Sequence, residues 1–339
     1  MKRILSAALL AALLAGTAMR SQAADSLSYR PEVHATIRAK YEYQPGIDKG
    51  RFEVRNARVG LQGRMLPIVE YKAEIDLSDE GRIRMLDAYV RLRPKKRLSF
   101  TIGQMRVPFT IDAHRSPHLQ YFANRSFIAK QVGNVRDVGA AVGYTLFERC
   151  PLTLEAGIFN GSGLTDQKNF WTSDYNFSFK AQLLLARRLY LTASFQRANA
   201  GAAKVEMHDF GAYYESGRWH VEGEYLHKSY AGGAFPPVNA ADAFVAYRLP
   251  LKRVFSSISF LGRYDYMSDH SRGEPNDAGA LSADDPERHR LTGGVTLSLG
   301  RSRLQADIRI NYECYFYRSD AVPLLSEQDK AVIEFVCHF

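Results

Sequence analysis

Long hydrophobic runs are missing from this sequence once its first two dozen residues are set aside. No apolar stretch of about 18 residues, the minimum for a spanning helix, occurs beyond that point. The mean hydropathy of the chain is −0.28, and the sequence therefore excludes a helical membrane protein. A membrane-spanning β-barrel is still allowed, because strands that alternate apolar and polar residues average to a near-polar hydropathy.

Cysteine and the common catalytic motifs are also scarce or absent. The chain has 3 cysteines, and Cys150, Cys314 and Cys337 are too scattered for a disulfide framework. There is no P-loop, no G-x-G-x-x-G before a helix and no H-E-x-x-H. The segment 161–163 lacks the full G-x-S-x-G of a nucleophile elbow. These absences predict a protein that is not an enzyme and needs no cofactor.

The N-terminus has the composition of an export signal. Lys2 and Arg3 precede an apolar core over residues 4–15, and Ser21-Gln22-Ala23 forms a small-residue cleavage site. We predict a signal peptide over 1–23 that is cleaved, followed by a single domain over 24–339. The formal net charge of +9 is not gathered into one basic tract. Anionic solutes or lipopolysaccharide-like surfaces are therefore better partners than nucleic acid.

Strict alternation of apolar and polar residues recurs along the mature chain. The last strand is the clearest case, because Ala331, Ile333, Phe335, Cys337 and Phe339 share one face. Such strands have one face for lipid and one for a polar interior, whereas an ordinary β-sandwich strand is the alternative for this segment alone. Six other segments of about 8–12 residues alternate in the same way. They lie at 33–43, 69–77, 86–93, 175–183, 290–299 and 304–313.

The connections between these strands alternate in length. Seven short links and eight mostly longer ones join 16 strands, and this alternation is typical of outer-membrane barrels rather than sandwiches. The short links lie at 65–67, 94–97, 148–151, 186–188, 216–217, 250–253 and 300–302. The longer ones lie near 44–50, 78–83, 105–135, 161–173, 199–206, 229–239, 266–287 and 316–328. We predict an all-β, 16-stranded antiparallel transmembrane β-barrel.

One strand changes phase within residues 51–64. Its apolar positions move from Phe52 and Val54 to Ala57, Val59 and Leu61. A β-bulge near residue 56 explains the change, and a late start of the strand is the alternative.

Several segments, in order along the chain, resemble the phosphate-selective porin O and P family. They are 51–63 (RFEVRNARVGLQG), 87–90 (DAYV), 102–109 (IGQMRVPF), 125–127 (RSF), 136–139 (RDVG), 156–161 (AGIFNG) and 223–226 (GEYL). The resemblance implies a 16-stranded porin of the outer membrane, usually trimeric, whose third loop folds into the lumen and narrows it. Some members of this family favour phosphate or polyphosphate.

The segment 105–136 stands where the resemblance places that constricting loop. It contains Arg106, Arg115, Arg125, Lys130 and Arg136, and Asp112 is its only acid. An excess of positive charge next to a low-dielectric wall attracts anions, and the planar guanidinium fork suits oxyanions. We predict these five basic residues as the anion-binding constriction. The alternative is a solvated surface loop with scattered charges.

The inward face of the predicted strands carries charges of both signs. Arg58, Arg91, Arg93 and Arg263 are predicted to line the lumen wall, interleaved with acids. The triplet His220, Glu222 and Glu224 and the acidic loop after residue 268 have ligand-type side chains. Their spacing fits a polar lumen face and a solvated loop better than metal sites. We therefore predict no metal.

These observations predict a passive porin of the outer membrane. It allows diffusion of small hydrophilic solutes and prefers anions such as phosphate. The predicted partners are those anions, outer-membrane lipid and two further copies of the chain in a homotrimer. Two alternatives stay open. One is a barrel enzyme of the lipid-hydrolase type, and the other is a closed structural or adhesive barrel in which 105–136 is a plug or lies outside the lumen.

Overall fold

The structure is a computed structural model that describes residues 29–339, except 80, 134–135, 165–166, 201–202, 234, 272–282, 301–303 and 319. The predicted signal segment 1–23 lies outside the described residues. The strands are β1 (Glu32–Gln44), β2 (Lys49–Leu66), β3 (Val69–Asp79), β4 (Arg82–Lys95), β5 (Leu98–Arg106), β6 (Arg136–Leu146), β7 (Leu152–Phe159), β8 (Asn176–Leu185), β9 (Leu189–Ala200), β10 (Ala203–Ser216), β11 (Trp219–Tyr230), β12 (Val238–Pro250), β13 (Ser257–Met267), β14 (Arg288–Leu299), β15 (Gln305–Tyr317) and β16 (Lys330–His338). No helix within these described ranges is long and apolar enough to cross a membrane.

The strands form one closed sheet in which each is hydrogen-bonded to its sequence neighbours. β1 and β16 close the barrel in antiparallel register, from the pair Thr36 and His338 to the pair Tyr43 and Ala331. The backbone N–H of Phe339 donates to the carbonyl of Ala35 at 3.1 Å and extends this pairing. The prediction of a 16-stranded antiparallel β-barrel is confirmed.

The two faces of β16 show how alternation becomes a barrel wall. Phe335 and Phe339 lie on the outer face and are more than half exposed. Val332, Glu334 and Val336 lie on the inner face and are buried. An apolar outer band facing lipid and a charged interior are what an outer-membrane barrel requires. The periodicity of two therefore defines both faces of this strand.

Short turns join the strands at the end of the barrel where β1 begins and β16 ends. They comprise 67–68, 96–97, 147–151, 186–188, 217–218, 251–256 and 300–304. At the other end, long connections lie at 107–135, 160–175, 268–287 and 318–329. Three predicted long links are wrong in length, because β1 and β2 are joined by 45–48, β3 and β4 by 80–81, and β9 and β10 by 201–202. The hairpin ladders continue to the pairs Gln44 with Lys49, Asp79 with Arg82 and Ala203 with Ala200, since strand pairing uses backbone groups and needs no apolar side chains.

The phase change in β2 is a bulge. Arg38 of β1 pairs with Asn56, and the next residue, Ala39, pairs with Val54. Arg55 is therefore the extra residue on β2, which moves the following residues to the opposite face.

A hydrophobic core lies inside the barrel rather than between layers. Six apolar side chains of β10–β13 share the inward face with buried acids such as Asp209 and Glu224, and all six are buried. We call them the apolar wall patch: Val205, Met207, Leu226, Val238, Ala240 and Met267. The connection 107–135, which we call the internal loop, packs its own apolar side chains against this patch.

Candidate functional site: a basic lumen beside the internal loop

The internal loop is held by hydrogen bonds from strands on several sides of the lumen. Basic side chains of the wall donate to its backbone carbonyls, which replaces the water that these carbonyls would otherwise bind. The contacts are Arg38 with Ala123 (2.7 Å), Lys180 with Thr110, Arg263 with Asn124 (3.1 Å) and Arg125 (3.3 Å), Arg290 with Arg125 (2.7 Å), and Arg309 with His118 (3.1 Å). The loop therefore lies among inward-facing side chains of β1, β8, β13, β14 and β15.

Acceptor side chains of the wall complete this framework by binding backbone N–H groups of the loop. The N–H of Ile111 donates to Glu224 at 2.5 Å, and the N–H of Ala123 donates to Asn311 at 2.8 Å. Donors and acceptors of the wall thus match the loop backbone between residues 110 and 125. This part of the loop is therefore expected to hold one conformation.

Arg115, the central basic residue of the predicted constriction, is neutralised by acids. Its two terminal nitrogens contact the two carboxylate oxygens of Glu222 on β11, and one of them lies 3.1 Å from Asp112. Its guanidinium also lies 5.1 Å from the ring centre of Tyr121. Because its charge is already compensated, Arg115 fastens the loop to the wall.

Lys130 and Arg136 also have carboxylate partners. The ammonium of Lys130 lies 2.5 Å from Glu327, which belongs to the connection 318–329. The guanidinium of Arg136, at the start of β6, binds Asp87 of β4 at 2.7 Å. Of the five predicted constriction residues, these two and Arg115 are therefore paired with acids.

Arg106 and Arg125 are held differently, through carbonyl oxygens of the internal loop. Arg106 donates to the carbonyl of Arg115 at 3.4 Å, and Arg125 donates to the same carbonyl at 3.4 Å and to that of Asp112 at 3.3 Å. Carbonyl groups orient a guanidinium but leave its formal charge in place. The structure thus brings these two arginines together at one point of the loop.

The predicted wall residues divide in the same way. Arg58 binds Asp76 at 2.9 Å, Arg93 binds Glu70 at 2.8 Å, and Arg263 binds Asp265 at 2.8 Å. Arg91 is different, because it donates to the hydroxyl of Thr101 at 3.0 Å and lies 5.0 Å from the ring centre of Tyr89. Within the described part of the chain, no carboxylate forms an ion pair with Arg91.

The clearest concentration of positive charge lines a cavity between the internal loop and β3–β7. This cavity has a volume of about 330 Å³. We call its six basic residues the basic arc: Lys72, Arg91, Arg93, Lys96, Arg97 and Arg106. Only Asp87 and Glu155 contribute acids to the same lining.

Two neighbouring cavities continue this space on the side of the short turns. One, of about 560 Å³, is lined by Arg64, Glu70 and Arg91, and another, of about 860 Å³, by Arg58, Glu74 and His118. Lys72 lines all three cavities. The basic arc therefore borders a connected polar region beside the internal loop.

Sequence reasoning missed Lys96 and Arg97, which were treated only as turn residues. The basic run at 95–97 was the available signal, because a short turn at the rim of a barrel can direct its side chains into the mouth.

The side chains considered as metal ligands are engaged with protein groups: His220 contacts Glu222 at 2.9 Å, and Glu224 accepts a hydrogen bond from the backbone N–H of Ile111. The described residues include no group of three potential metal ligands. Much of the acidic loop after residue 268 lies outside the described residues.

Solved structures with a similar fold include a porin and an outer membrane channel. An anion-selective porin from Comamonas acidovorans shares 11% identity with a TM-score of 0.60, and 91% of this chain aligns with 98% of that one. The outer membrane channel DcaP of Acinetobacter baumannii shares 13% identity with a TM-score of 0.60, covering 91% and 97% of the two chains. OmpF of Salmonella typhi, in complex with daunomycin, shares 12% with a TM-score of 0.63 over 91% and 97%. A search of curated proteins found no match.

The closed 16-stranded barrel with its charged lumen has the fold of outer-membrane porins. Within that class, the sequence profile of the family "Phosphate-selective porin O and P" matches residues 32–186. The resemblance to this family is therefore confirmed over that range, which contains β1–β7, the internal loop and the basic arc. The predicted outer-membrane location is confirmed as well.

Proposed function

We propose that this porin lets small hydrophilic solutes diffuse passively and that the basic arc gives it a preference for anions. The observation that carries the proposal is the cavity lined by six basic and two acidic side chains. Charge of one sign within low-dielectric walls concentrates ions of the opposite sign. The family match and the similar folds are those of channels and support a protein without enzymatic activity.

The arrangement of the arc suits passage better than tight binding. Lys72, Arg93 and Arg97 have nearby carboxylates, whereas Arg91 is oriented by the hydroxyl of Thr101. A permeating anion thus meets several partly compensated sites in sequence rather than one deep site. Multiple weak sites allow an ion to enter and also to leave.

Phosphate is the proposed preferred anion within this class. Guanidinium groups bind tetrahedral oxyanions through two parallel hydrogen bonds, and the matching family is described as phosphate-selective. We assign direct contact with the anion to Arg91 and Arg106, which line the cavity, whereas Arg125 is not in that lining and holds the internal loop through its carbonyl groups. Arg115, Lys130 and Arg136 position the loop and the wall through their acidic partners. We also propose that the signal peptide 1–23 is removed, that three copies of the chain form a homotrimer, and that the outer face of the barrel contacts outer-membrane lipid.

The test is the reversal potential of the purified protein in a planar bilayer with a potassium chloride gradient. The variant Arg91→Gln/Lys96→Gln removes two positive charges of the arc without leaving a described carboxylate unpaired. We expect its ratio of chloride to potassium permeability to fall roughly two- to fivefold. The matched control, Arg149→Gln/Arg253→Gln, removes two exposed charges from the turns at the same end and should keep the ratio of the unmodified protein.

Phosphate is then tested by adding it to the chloride solution. A drop in chloride current that is weaker in the Arg91→Gln/Lys96→Gln variant supports phosphate binding at the arc. If the unmodified protein conducts without a preference for anions, the basic arc does not select anions and its assigned role is wrong. A folded barrel that never conducts, in any variant, would overturn the porin function itself.

A further inference from the structure

We propose that residues 126–132 of the internal loop form a gate that closes the lumen by packing on the apolar wall patch, and that Glu327, which we call the latch, holds this segment in place. The inference rests on the proposed porin function and adds its regulation. Three features of the structure carry it: the chemistry of the wall patch, the extent of the hydrophobic cluster, and the charged contacts on the outer side of the loop.

The apolar wall patch is unusual for the inner face of a porin. A water-filled lumen favours polar inward side chains, and β10–β13 have them elsewhere, as at Asp209, Glu222 and Asp265. Inward-facing Met207, Leu226 and Val238 have no favourable role against water. They gain their burial from the internal loop, so the wall is built to receive it.

The gate segment contributes the matching apolar side chains. Phe127, Ile128 and Val132 are at most 8% exposed and belong to the same hydrophobic cluster as the patch. The cluster also includes Met105 of β5 and Phe159 of β7, on the other side of the lumen. It therefore bridges the barrel from β5–β7 to β10–β13, and a constriction of this chemistry stops ions by excluding water.

Charged groups also hold the gate segment, on the side of the internal loop that faces Glu327. Lys130 contacts Glu327 at 2.5 Å, and the other oxygen of Glu327 lies 3.1 Å from Arg288. Tyr317 donates to the backbone carbonyl of Glu327 at 2.7 Å and fixes the latch residue. Because Glu327 is only 2% exposed, its carboxylate is committed to these partners.

The aromatic ring of Phe127 is also clamped by cations. The guanidinium carbons of Arg288 and Arg290 lie 4.7 and 4.5 Å from its ring centre. Arg290 additionally donates to the carbonyl of Arg125 at 2.7 Å. Arg288 thus contacts both the carboxylate of Glu327 and the ring of Phe127. Loss of the contact with Glu327 is therefore expected to weaken the hold of Arg288 on Phe127.

The latch has a defined response to acid. Burial alone would raise the pKa of Glu327, but Lys130 and Arg288 outweigh burial and Asp285, so its pKa lies below the ordinary value of 4.5. A lowered folded-state pKa means that the latch is fully present above the ordinary value and is lost as the pH falls through the lowered one. The gate should therefore stay latched at neutral pH and loosen only in strong acid.

The decisive experiment compares two pairs of valine-to-threonine substitutions by single-channel recording. Val205→Thr/Val238→Thr places two hydroxyls in the patch, whereas Val332→Thr/Val336→Thr makes the same change at buried inward positions of β16 outside the cluster. We expect the first pair to raise the ratio of open to closed time about tenfold, and the second pair to leave it unchanged. Heat-dependent mobility in detergent gels verifies that both variants fold.

A second comparison isolates the latch. Glu327→Gln removes the charge that binds Lys130, and Asp320→Asn removes an exposed charge from the same connection. We expect more open time only for Glu327→Gln, and at neutral pH this variant should match the unmodified protein in strong acid. If the unmodified protein conducts and all four variants gate as it does, the gate is overturned and the porin function stands. If neither the unmodified protein nor any variant conducts, the proposed porin function is overturned, and the gate with it.

Discussion

At the scale of single residues, the net charge of a sequence segment differs from the charge that it presents to the lumen, because distant acids can pair with its basic residues. The segment 105–136 has five basic residues and one acid, yet Arg115, Lys130 and Arg136 meet Glu222, Glu327 and Asp87 from distant strands and loops. Local composition could identify the basic residues, and the family resemblance implied their position in the lumen. It could not show their neutralisation, because the partners are set by barrel register and by the path of the loop.

The pair of Arg115 and Glu222 gives the first prediction. Arg115→Gln leaves Glu222 buried and without its main cation, so we expect a loss of about 3 kcal/mol in the free energy of unfolding. Arg115→Gln/Glu222→Gln should recover part of this loss, because the buried carboxylate of Glu222 is then no longer left without its cation. Urea unfolding in lipid vesicles measures both. Equal destabilisation by the single and double variants would contradict the pairing.

At the scale of elements, alternation predicted the strands well because the two faces of a barrel strand meet opposite environments. It failed at the hairpin ends near 44–50, 78–83 and 199–206, where backbone pairing continues close to the turn without a regular apolar signal. The phase break in β2 was visible for the same reason, since Arg55 interrupts a regular pattern. The apolar wall patch was not foreseen, because inward-facing apolar residues were not considered as contacts for a loop.

β5 depends on a glycine in the middle of the strand. Gly103 has φ of +128°, and a Cβ at this position would lie 2.3 Å from the carbonyl oxygen of Ala88 on β4. We expect Gly103→Ala to reduce the yield of folded barrel severalfold, because both the backbone conformation and the close approach exclude a side chain. Gly262→Ala, with no atom within 4 Å of its Cβ, is the control. Equal folded yields, measured by heat-dependent gel mobility, would count against this role.

At the scale of the whole molecule, the positive and negative side chains are distributed unevenly around the lumen. Inward acids are frequent on β10–β13, where the internal loop covers them, while the basic arc borders open space beside β3–β7. The loop therefore conceals one sign of charge and leaves the other accessible. Selectivity in such a lumen depends on where the loop lies as much as on which residues are present.

This accessible charge predicts a dependence of selectivity on salt. Charges act over about 10 Å at 0.1 M salt but only about 3 Å at 1 M, so the preference for anions should weaken as the salt concentration rises. Reversal potentials at fixed gradient ratios and increasing total salt measure this. Arg91→Gln/Lys96→Gln should show a flatter dependence. A preference that is constant over this range would indicate selection by close contact and not by the field of the arc.

The pairing of β1 with β16 has a consequence for how the molecule is made. These two strands are the first and the last of the barrel, so their hydrogen bonds join residues about as far apart in the chain as the barrel allows. Until they meet, the growing sheet has two open edges that can pair with any other strand. Such distant pairing is slow because a long segment must be ordered before it forms. We therefore expect the yield of closed barrel to rise when these two edges are kept apart from other chains until β16 pairs with β1.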